Sequence, residues 1–247
     1  MSGFFLVLEG LDGSGKSEVS RRLAATMKVV LGDRVLWTYE PYNESAAGPF
    51  IRQVLAKDVQ VQSRTLALAY ALNRADHLDR VIYPFLSQAT DAEPRLIICD
   101  RYYLSSLVYQ SVDGMSRNNV MDLNASARTP DLTVFLDASA ETCYERQGTR
   151  GKKRELFDLN LNETREKYLR AITYLSARGE QVVTVDANAD LLTVINGVIE
   201  AINAYAPAWM HVEPLAELPP VAPTTNLRPA MEVFELHFLH KPAVQWE

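Results

Sequence analysis

Residues 4–17 read FFLVLEGLDGSGKS, and this stretch decides the fold. Its first five residues are apolar and predict a short buried strand. The eight residues after Glu9 match the pattern G-x-x-x-x-G-K-[ST] in full. Val19, Leu23, Met27 and Val30 then follow at helical spacing. A strand, a glycine-rich loop and a helix in this order predict an α/β fold with an anion-binding site at the start of the helix.

The residue types of the glycine-rich loop suit a nucleoside triphosphate. Glycines allow successive backbone N–H groups to turn towards phosphate oxygens. Lys16 is expected to reach the β- and γ-phosphates of ATP, and the Ser17 hydroxyl to ligate Mg²⁺. A glycine-rich turn without a ligand is the alternative interpretation. The predicted ATP-binding residues are Gly10, Leu11, Asp12, Gly13, Ser14, Gly15, Lys16 and Ser17.

The composition excludes several classes of protein. Of the 247 residues, 47% are hydrophobic and 23% are charged, which excludes a collagen, a coiled coil and wholesale disorder. No apolar run approaches the roughly 20 residues needed to span a bilayer. The net charge of −6 argues against nucleic acid as a partner. Because the chain has only Cys99 and Cys143 and no signal-peptide pattern, we expect a cytoplasmic protein without membrane attachment.

Four further apolar runs predict strands over residues 34–38, 96–99, 132–136 and 182–185. Helical patterns between them predict helices over residues 17–30, 65–86, 139–146, 162–178 and 191–204. Short apolar strands that alternate with helices indicate a parallel sheet covered on both faces, in three layers.

The last part of the chain differs in composition from the rest. Seven of the twelve prolines lie in residues 207–247. This predicts a domain over residues 1–206 and a Pro-rich extension over residues 207–247, which wraps the domain, meets a partner or is partly disordered. Phe234, Leu236 and Phe238 recur at period two and indicate a strand-like face within the extension.

Residues 96–102, LIICDRY, combine a buried strand with charged residues at its end. Because ligands of an open parallel sheet bind beyond the carboxyl ends of its strands, we expect Asp100 and Arg101 beside the glycine-rich loop. Asp100 is suited to orient Mg²⁺ or its waters, and Arg101 offers a bidentate fork to a second phosphate group. An Asp–Arg pair that merely closes the strand end is the alternative.

Tyr70, Arg74 and His77 form a stripe on the predicted long helix, opposite Ala71 and Leu78. An aromatic ring and a guanidinium suit a nucleobase, whereas a solvated helix face with a snorkelling arginine is the simpler interpretation.

Residues 146–154, RQGTRGKKR, contain five basic residues and two glycines in an otherwise acidic protein. The segment suits a lid, over about residues 146–155, that closes over phosphates and supplies positive charge, or else a solvated basic loop.

Neither Asn-Lys-x-Asp nor Leu-Ser-Gly-Gly-Gln occurs, which argues against a GTPase and a transporter ATPase and leaves a small kinase. The order and spacing of the motifs resemble the thymidylate kinase family, P-loop enzymes that transfer the γ-phosphoryl group of ATP to dTMP. The resemblance covers about residues 4–204. The motifs that carry it are residues 9–17, 40–41, 51–53, 70–77, 100–110, 130–131, 136–137 and the basic segment, and DRYYLSSLVYQ at 100–110 is the most specific.

The resemblance implies roles for individual residues and a P-loop kinase fold with a five-stranded parallel sheet. It implies that Asp12 lies near the acceptor sugar and metal, that Arg52 and Arg101 hold the acceptor phosphate, and that Arg74 reaches a base carbonyl. Tyr70 would stack on the base, and Tyr109 would favour deoxyribose. The predicted catalytic residues are Lys16, Asp12, Asp100, Arg101, Arg146 and Arg150; the predicted acceptor-binding residues are Arg52, Tyr70, Arg74, Arg101, Ser106, Tyr109 and Gln110; the predicted metal ligands are Ser17 and Asp100. The cofactors implied are ATP and Mg²⁺, and the implied assembly is a homodimer.

This chain departs from the family pattern at a few positions. It has Tyr70 and Asn73 where Phe and Asp are usual, and Gly13 where some members carry an arginine, which places the expected transition-state charge in the lid. Three other functions stay open at this point: a deoxynucleoside kinase with Glu9 as general base, a kinase for another pyrimidine monophosphate, and a nucleotide-binding partner protein without turnover.

Overall fold

A five-stranded, all-parallel sheet forms the centre of the computed structural model, which describes residues 2–112, 114–148 and 160–221. The strand order is β2-β3-β1-β4-β5. The strands are β1 Gly3–Gly10, β2 Val35–Tyr39, β3 Arg95–Asp100, β4 Leu132–Asp137 and β5 Val182–Asp186. The helices are α1 Lys16–Leu31, α2 Ala47–Leu55, α3 Ser63–His77, α4 Tyr83–Leu86, α5 Tyr103–Tyr109, α6 Arg117–Leu123, α7 Ala140–Gly148, α8 Leu161–Ser176 and α9 Leu191–Tyr205.

The register of the central strands brings the charged strand ends together. Leu8 of β1 pairs with Asp100 of β3, and Gly10 pairs with Leu136 of β4. The three inner strands are almost fully buried, as expected for a parallel sheet with helices on both faces. The carboxyl ends of β1 and β3 therefore meet at one edge, which is where ligands bind in open α/β sheets.

All five predicted strands and the predicted three-layer α/β class are confirmed. The long predicted helix is one continuous helical run, in which a π-helical segment, Leu78–Ile82, joins α3 to α4. The predicted helices over 17–30, 139–146, 162–178 and 191–204 correspond to α1, α7, α8 and α9. The sequence analysis did not predict α2, α5 and α6, which are seven to nine residues long.

The Tyr70–Arg74–His77 stripe lies on the buried side of α3 and not on a solvated face. Arg74 is 2% exposed and His77 is completely buried, while Tyr70 is half-buried. A solvated helix face is therefore wrong for these residues, because Glu40 at the end of β2 offers a buried carboxylate to both side chains.

Residues 207–221 lie against the kinase domain as an extended strap. Two asparagines of α9, seven residues apart, hold its backbone: Asn203 exchanges two hydrogen bonds with Val212 (2.9 and 3.2 Å), and Asn196 exchanges two with Leu215 (3.0 and 2.7 Å). Arg22 of α1 donates to the carbonyl of Pro219 at 2.6 Å. The strap thus joins α9 to α1 by side chain–backbone bonds. The division into residues 1–206 and 207–247 stays a prediction, and the strand-like segment 231–239 lies outside the described residues.

None of the helices in the described ranges is long and apolar enough to cross a membrane.

The strap generates a stability prediction. We expect the double variant Asn196→Ala/Asn203→Ala to lower the free energy of unfolding by about 1–3 kcal/mol, because four hydrogen bonds to the strap are lost. Urea unfolding measures the change. The control is Asn162→Ala, which removes an exposed amide from the first turn of α8. An unchanged free energy of unfolding in the double variant would show that the strap does not stabilise the fold.

Candidate active site

The glycine-rich loop lies between β1 and α1, with its lysine folded back onto the loop itself. The Lys16 ammonium donates to the Leu11 carbonyl at 2.7 Å and lies 3.8 Å from the Asp12 carboxylate. Burial and the nearby Arg101 guanidinium hold the pKa of Lys16 below its ordinary value. A polyanion bound in the loop would favour the charged form of this lysine.

The predicted metal ligands Ser17 and Asp100 are in direct contact. The Ser17 hydroxyl donates to Asp100 Oδ2, while Asp100 Oδ1 is buried and has no hydrogen-bond partner. A hydroxyl and an unsatisfied carboxylate oxygen beside a phosphate loop match the oxygen donors that Mg²⁺ prefers. The residues present therefore fit a magnesium ion that is shared with the nucleotide phosphates.

Arg101 turns its guanidinium towards the loop because its backbone takes a left-handed conformation, with φ of 73°. It pairs with Asp12 and donates to Ser105 (2.9 Å) and to the Tyr168 hydroxyl (3.0 Å). Burial opposes its charge, but Asp12 and the surrounding hydroxyls hold the pKa of Arg101 well above its ordinary value. A strained backbone beside a buried, fixed cation is typical of a functional site. The alternative interpretation, in which Asp100 and Arg101 merely pair to close the strand end, does not describe this contact, because the partner of Arg101 is Asp12.

Glu9 has a structural task that sequence reasoning did not identify. Its carboxylate is completely buried and accepts from the backbone N–H of Tyr102 (2.8 Å) and of Ser105 (3.0 Å), so it caps the N-terminus of α5. It also accepts from the Ser105 hydroxyl at 2.7 Å. Burial raises the pKa of Glu9 above its ordinary value. These donors give Glu9 a structural role, and nothing in the described residues favours the nucleoside kinase alternative in which it would act as general base.

Gly13 is required where the loop touches α7. Its φ is +92°, and a Cβ at this position would lie 2.5 Å from the carbonyl oxygen of Cys143. A second contact follows one turn later, where Gln147 donates to the Asp12 carbonyl at 2.9 Å. The loop therefore has no room for a side chain at position 13, which explains why an arginine does not occur there.

A cavity of about 390 Å³ lies beside α5 on the side of α2 and α3. Tyr109 and Gln110 line it together with apolar residues that include Val54 and Leu66. Two predicted acceptor-binding residues carry buried polar atoms without a partner, the Ser106 hydroxyl and Gln110 Oε1. Unsatisfied polar groups of this kind are rare and costly in proteins, and they point to a ligand that completes them.

Arg74 is held by a buried network above α5. Its Nε and Nη2 lie 2.9 and 2.7 Å from Glu40 Oε2, and its Nη1 donates to Asn124. Its guanidinium also lies over the ring of Tyr102, 5.0 Å from the ring centre. Asn124, which follows α6, was not predicted as part of the site, because α6 itself was not predicted.

Arg52 lies on α2. Its Nε donates to Asn43 at 2.9 Å, and the residue is exposed overall. Tyr70 packs beside the apolar cluster of α2 that contains Ile51 and Leu55. Of the predicted acceptor residues, Tyr109 and Gln110 line the cavity beside α5, while Arg52 and Tyr70 lie on α2 and α3, which also contribute lining residues.

Arg146 binds backbone carbonyls at the donor side of the loop. Its guanidinium donates to Ala187 and Ala189 at 2.8 Å each, and to Ser14 at 3.3 Å. It therefore joins the glycine-rich loop to the turn after β5. Arg150 lies outside the described residues.

The sheet order, the phosphate loop and the paired strand ends define a P-loop kinase fold. The thymidylate kinase family model matches residues 8–197. A probable thymidylate kinase of Staphylothermus marinus is 36% identical over 80% of this chain and 93% of its own, and one of Pyrococcus abyssi is 33% identical over 82% and 97%. A third, from Methanocaldococcus jannaschii, is 34% identical over 68% of this chain and 81% of its own. The chain belongs to the thymidylate kinase family.

The contact between the loop and α7 generates the second prediction. We expect Gly13→Ala to weaken ATP binding by about tenfold or more, because the Cβ would clash with the Cys143 carbonyl and displace the loop. Titration calorimetry with ATP measures the affinity. Gly179→Ala is the matched control: it has φ of +86° but nothing within 4 Å of the added Cβ, so it carries only the backbone strain. Equal ATP affinities in the two variants would contradict the proposed clash.

Proposed function

We propose that this protein transfers the γ-phosphoryl group of ATP to dTMP and forms dTDP. The family match over residues 8–197 carries the proposal. The complete phosphate loop and the Asp100–Arg101 strand end support it, because both lie at one edge of the sheet. Phosphoryl transfer depends mainly on positioning and on electrostatic stabilisation, and this edge provides cations and backbone N–H groups for both.

On the donor side, residues 10–17 would bind the phosphates of ATP, and Lys16 would leave the Leu11 carbonyl to neutralise charge on the transferring group. Ser17 and Asp100 would hold Mg²⁺. When bound, this ion neutralises charge on the phosphate oxygens during transfer.

On the acceptor side, Arg101 and Arg52 would bind the 5′-phosphate of dTMP from opposite walls of the cleft. The buried polar atoms of Ser106 and Gln110 support a base or sugar contact from α5. Tyr70 would stack on the base, Arg74 would reach a base carbonyl, and Tyr109 would exclude a 2′-hydroxyl. Asp12, fixed by Arg101, would lie between donor and acceptor.

The transition-state charge is proposed to come from the lid, by Arg146 or Arg150. The steric closure at Gly13 supports this source, because the loop itself cannot carry an arginine there. We also propose a homodimer and a cytoplasmic location. Leu68 and Leu72, 47% and 60% exposed on one face of α3, support an apolar contact surface. The two buried free cysteines support a reducing compartment.

The third prediction tests turnover. We expect the protein to phosphorylate dTMP faster than any other nucleoside monophosphate when each is offered with ATP and Mg²⁺. Lys16→Ala should lower kcat on the order of 10²-fold or more, because it removes the cation that faces the transferring group. A coupled assay for ADP measures both. Lys28→Ala, at an exposed position of the same helix, is the control. Turnover by Lys16→Ala at the rate of the control would refute the kinase assignment.

The fourth prediction uses two neighbouring serines with opposite environments. Ser106→Ala removes a hydroxyl that has no partner, so we expect unchanged or higher stability but a KM for dTMP raised by about 2- to 12-fold. Ser105→Ala removes a hydroxyl that donates to Glu9, so we expect the free energy of unfolding to fall by about 1–3 kcal/mol. Thermal unfolding and steady-state kinetics separate the two effects. If Ser106→Ala destabilises the fold and leaves the KM unchanged, the hydroxyl does not serve the acceptor.

A further inference from the structure

The loop at residues 40–43 connects the two arginines assigned to the acceptor. Glu40 accepts from Arg74 at 2.9 Å, and Asn43 accepts from Arg52 at 2.9 Å. The Pro41 carbonyl also accepts from Arg52, at 3.4 Å. The position of this loop therefore sets the position of both guanidinium groups.

Asn73 of α3 holds the middle of this loop by two hydrogen bonds. The Tyr42 N–H donates to Asn73 Oδ1 at 2.7 Å, and Asn73 Nδ2 donates to the Tyr42 carbonyl at 2.7 Å. Asn73 is 1% exposed, so water does not compete for these bonds. The Tyr42 ring also stacks on His77, with 4.7 Å between the ring centres.

The first turn of α2 closes the other side of the loop. At Gly48, a Cβ would lie 2.5 Å from the Tyr42 carbonyl oxygen and 2.7 Å from that of Asn43. The loop thus lies between Gly48 and Asn73. If the Asn73 bonds were broken, the loop would shift relative to α2, the helix that carries Arg52.

We propose that Asn73 is a positioning residue for the acceptor phosphate: its amide fixes the loop at residues 40–43 and thereby orients Arg52. This inference rests on the proposed function, since it needs a nucleoside monophosphate as acceptor. Asn73 itself touches no substrate in this scheme.

In this chain an amide at position 73 matches the Tyr42 backbone, although aspartate is usual there in the family. The backbone of Tyr42 presents one donor and one acceptor, and a single asparagine side chain can hydrogen-bond to both. An ionised aspartate would accept from the Tyr42 N–H but would place its second oxygen against the Tyr42 carbonyl. A protonated aspartic acid would donate to that carbonyl and restore the pair.

The fifth prediction follows from this difference. At about pH 6 we expect Asn73→Asp to bind dTMP almost normally. Towards about pH 8.5 its KM for dTMP should rise on the order of 10-fold, because the buried acid ionises and the pair breaks. Relative to wild type, kcat and the KM for ATP should change little. Inhibition by thymidine, which has no phosphate for Arg52, should be unaffected at every pH.

The charged and titratable groups around the pair must be taken into account. They are Glu40, Glu44 and Arg52 on the side of the loop and α2, and Arg74, Asp76, His77 and Arg80 on α3 and the segment after it. All of them are present in the wild type as well. The comparison is therefore the ratio of variant to wild-type KM at each pH, in which their common titration cancels.

Asn203→Asp is the matched control. Asn203 makes the same reciprocal pair with the backbone of Val212, at 2.9 and 3.2 Å, but it lies on α9 under the strap. The same chemical change there should make the free energy of unfolding depend on pH and leave the KM for dTMP unchanged.

A double-variant cycle keeps the inference testable if Asn73→Asp does not fold at high pH. Asn73→Ala should raise the KM for dTMP in the wild type but add little once Arg52→Ala is present, because the amide acts through that arginine. A purely structural role would give additive effects and overturn the inference.

The remaining outcomes are also decisive. If wild type phosphorylates dTMP and Asn73→Asp keeps the wild-type KM at every pH, the inference is wrong and the proposed function stands. The same holds if thymidine and dTMP are weakened equally, since Asn73 would then act on the base site. If the wild type binds no dTMP, both the proposed function and the inference are wrong.

Discussion

The buried carboxylate of Glu9 is the contact on which the site depends. It lies near the end of β1, is completely buried, and takes up the N–H groups of Tyr102 and Ser105 at the start of α5. Without it, the Tyr102 N–H would lie buried and unsatisfied, at a cost of about 1–3 kcal/mol, and the Ser105 N–H would keep only its bond to the Tyr102 carbonyl at 3.1 Å. The carboxylate therefore fixes where α5 begins, and with it the direction of Arg101 and the wall that carries Ser106 and Gln110. The acid at this position therefore holds the start of α5 against the end of β1.

A second buried charge organises the opposite wall. Glu40 lies between Arg74 and His77, and all three are almost inaccessible to water. Buried ion pairs contribute little net stability, because the loss of hydration offsets the attraction, but removal of one partner is expensive. The Glu40–Arg74 pair thus specifies a geometry more than it stabilises the fold. It ties β2 to α3, as Glu9 ties β1 to α5, and the cavity beside α5 is lined from both α3 and α5.

An element or site residue could be predicted from the sequence when the pattern that indicates it lies within a few neighbouring residues. The five strands and the phosphate loop were predictable, since a run of apolar residues or a fixed motif carries each within a few positions. The roles of Glu9 and Asn73 were not, because their partners are backbone groups that reach them only after the sheet and α3 have packed. Arg74 shows the same limit: its helical spacing was visible, but its burial depends on Glu40, which lies 34 residues away. Arg146 was predicted as a source of charge, and only the structure shows that its guanidinium is already engaged by three carbonyls.

The segment predicted as a lid joins two ends that the structure anchors on different parts of the site. At one end, Gln147 holds the Asp12 carbonyl and α7 closes against Gly13, so this end is fixed to the phosphate loop. At the other end, α8 carries Tyr168, whose hydroxyl accepts from Arg101 on the acceptor side. Arg165 adds a two-bond contact to Asp137 at the end of β4, at 2.6 and 2.8 Å. In the sequence, residues 149–159 therefore lie between an anchor on the phosphate loop and an anchor on Arg101 and the end of β4.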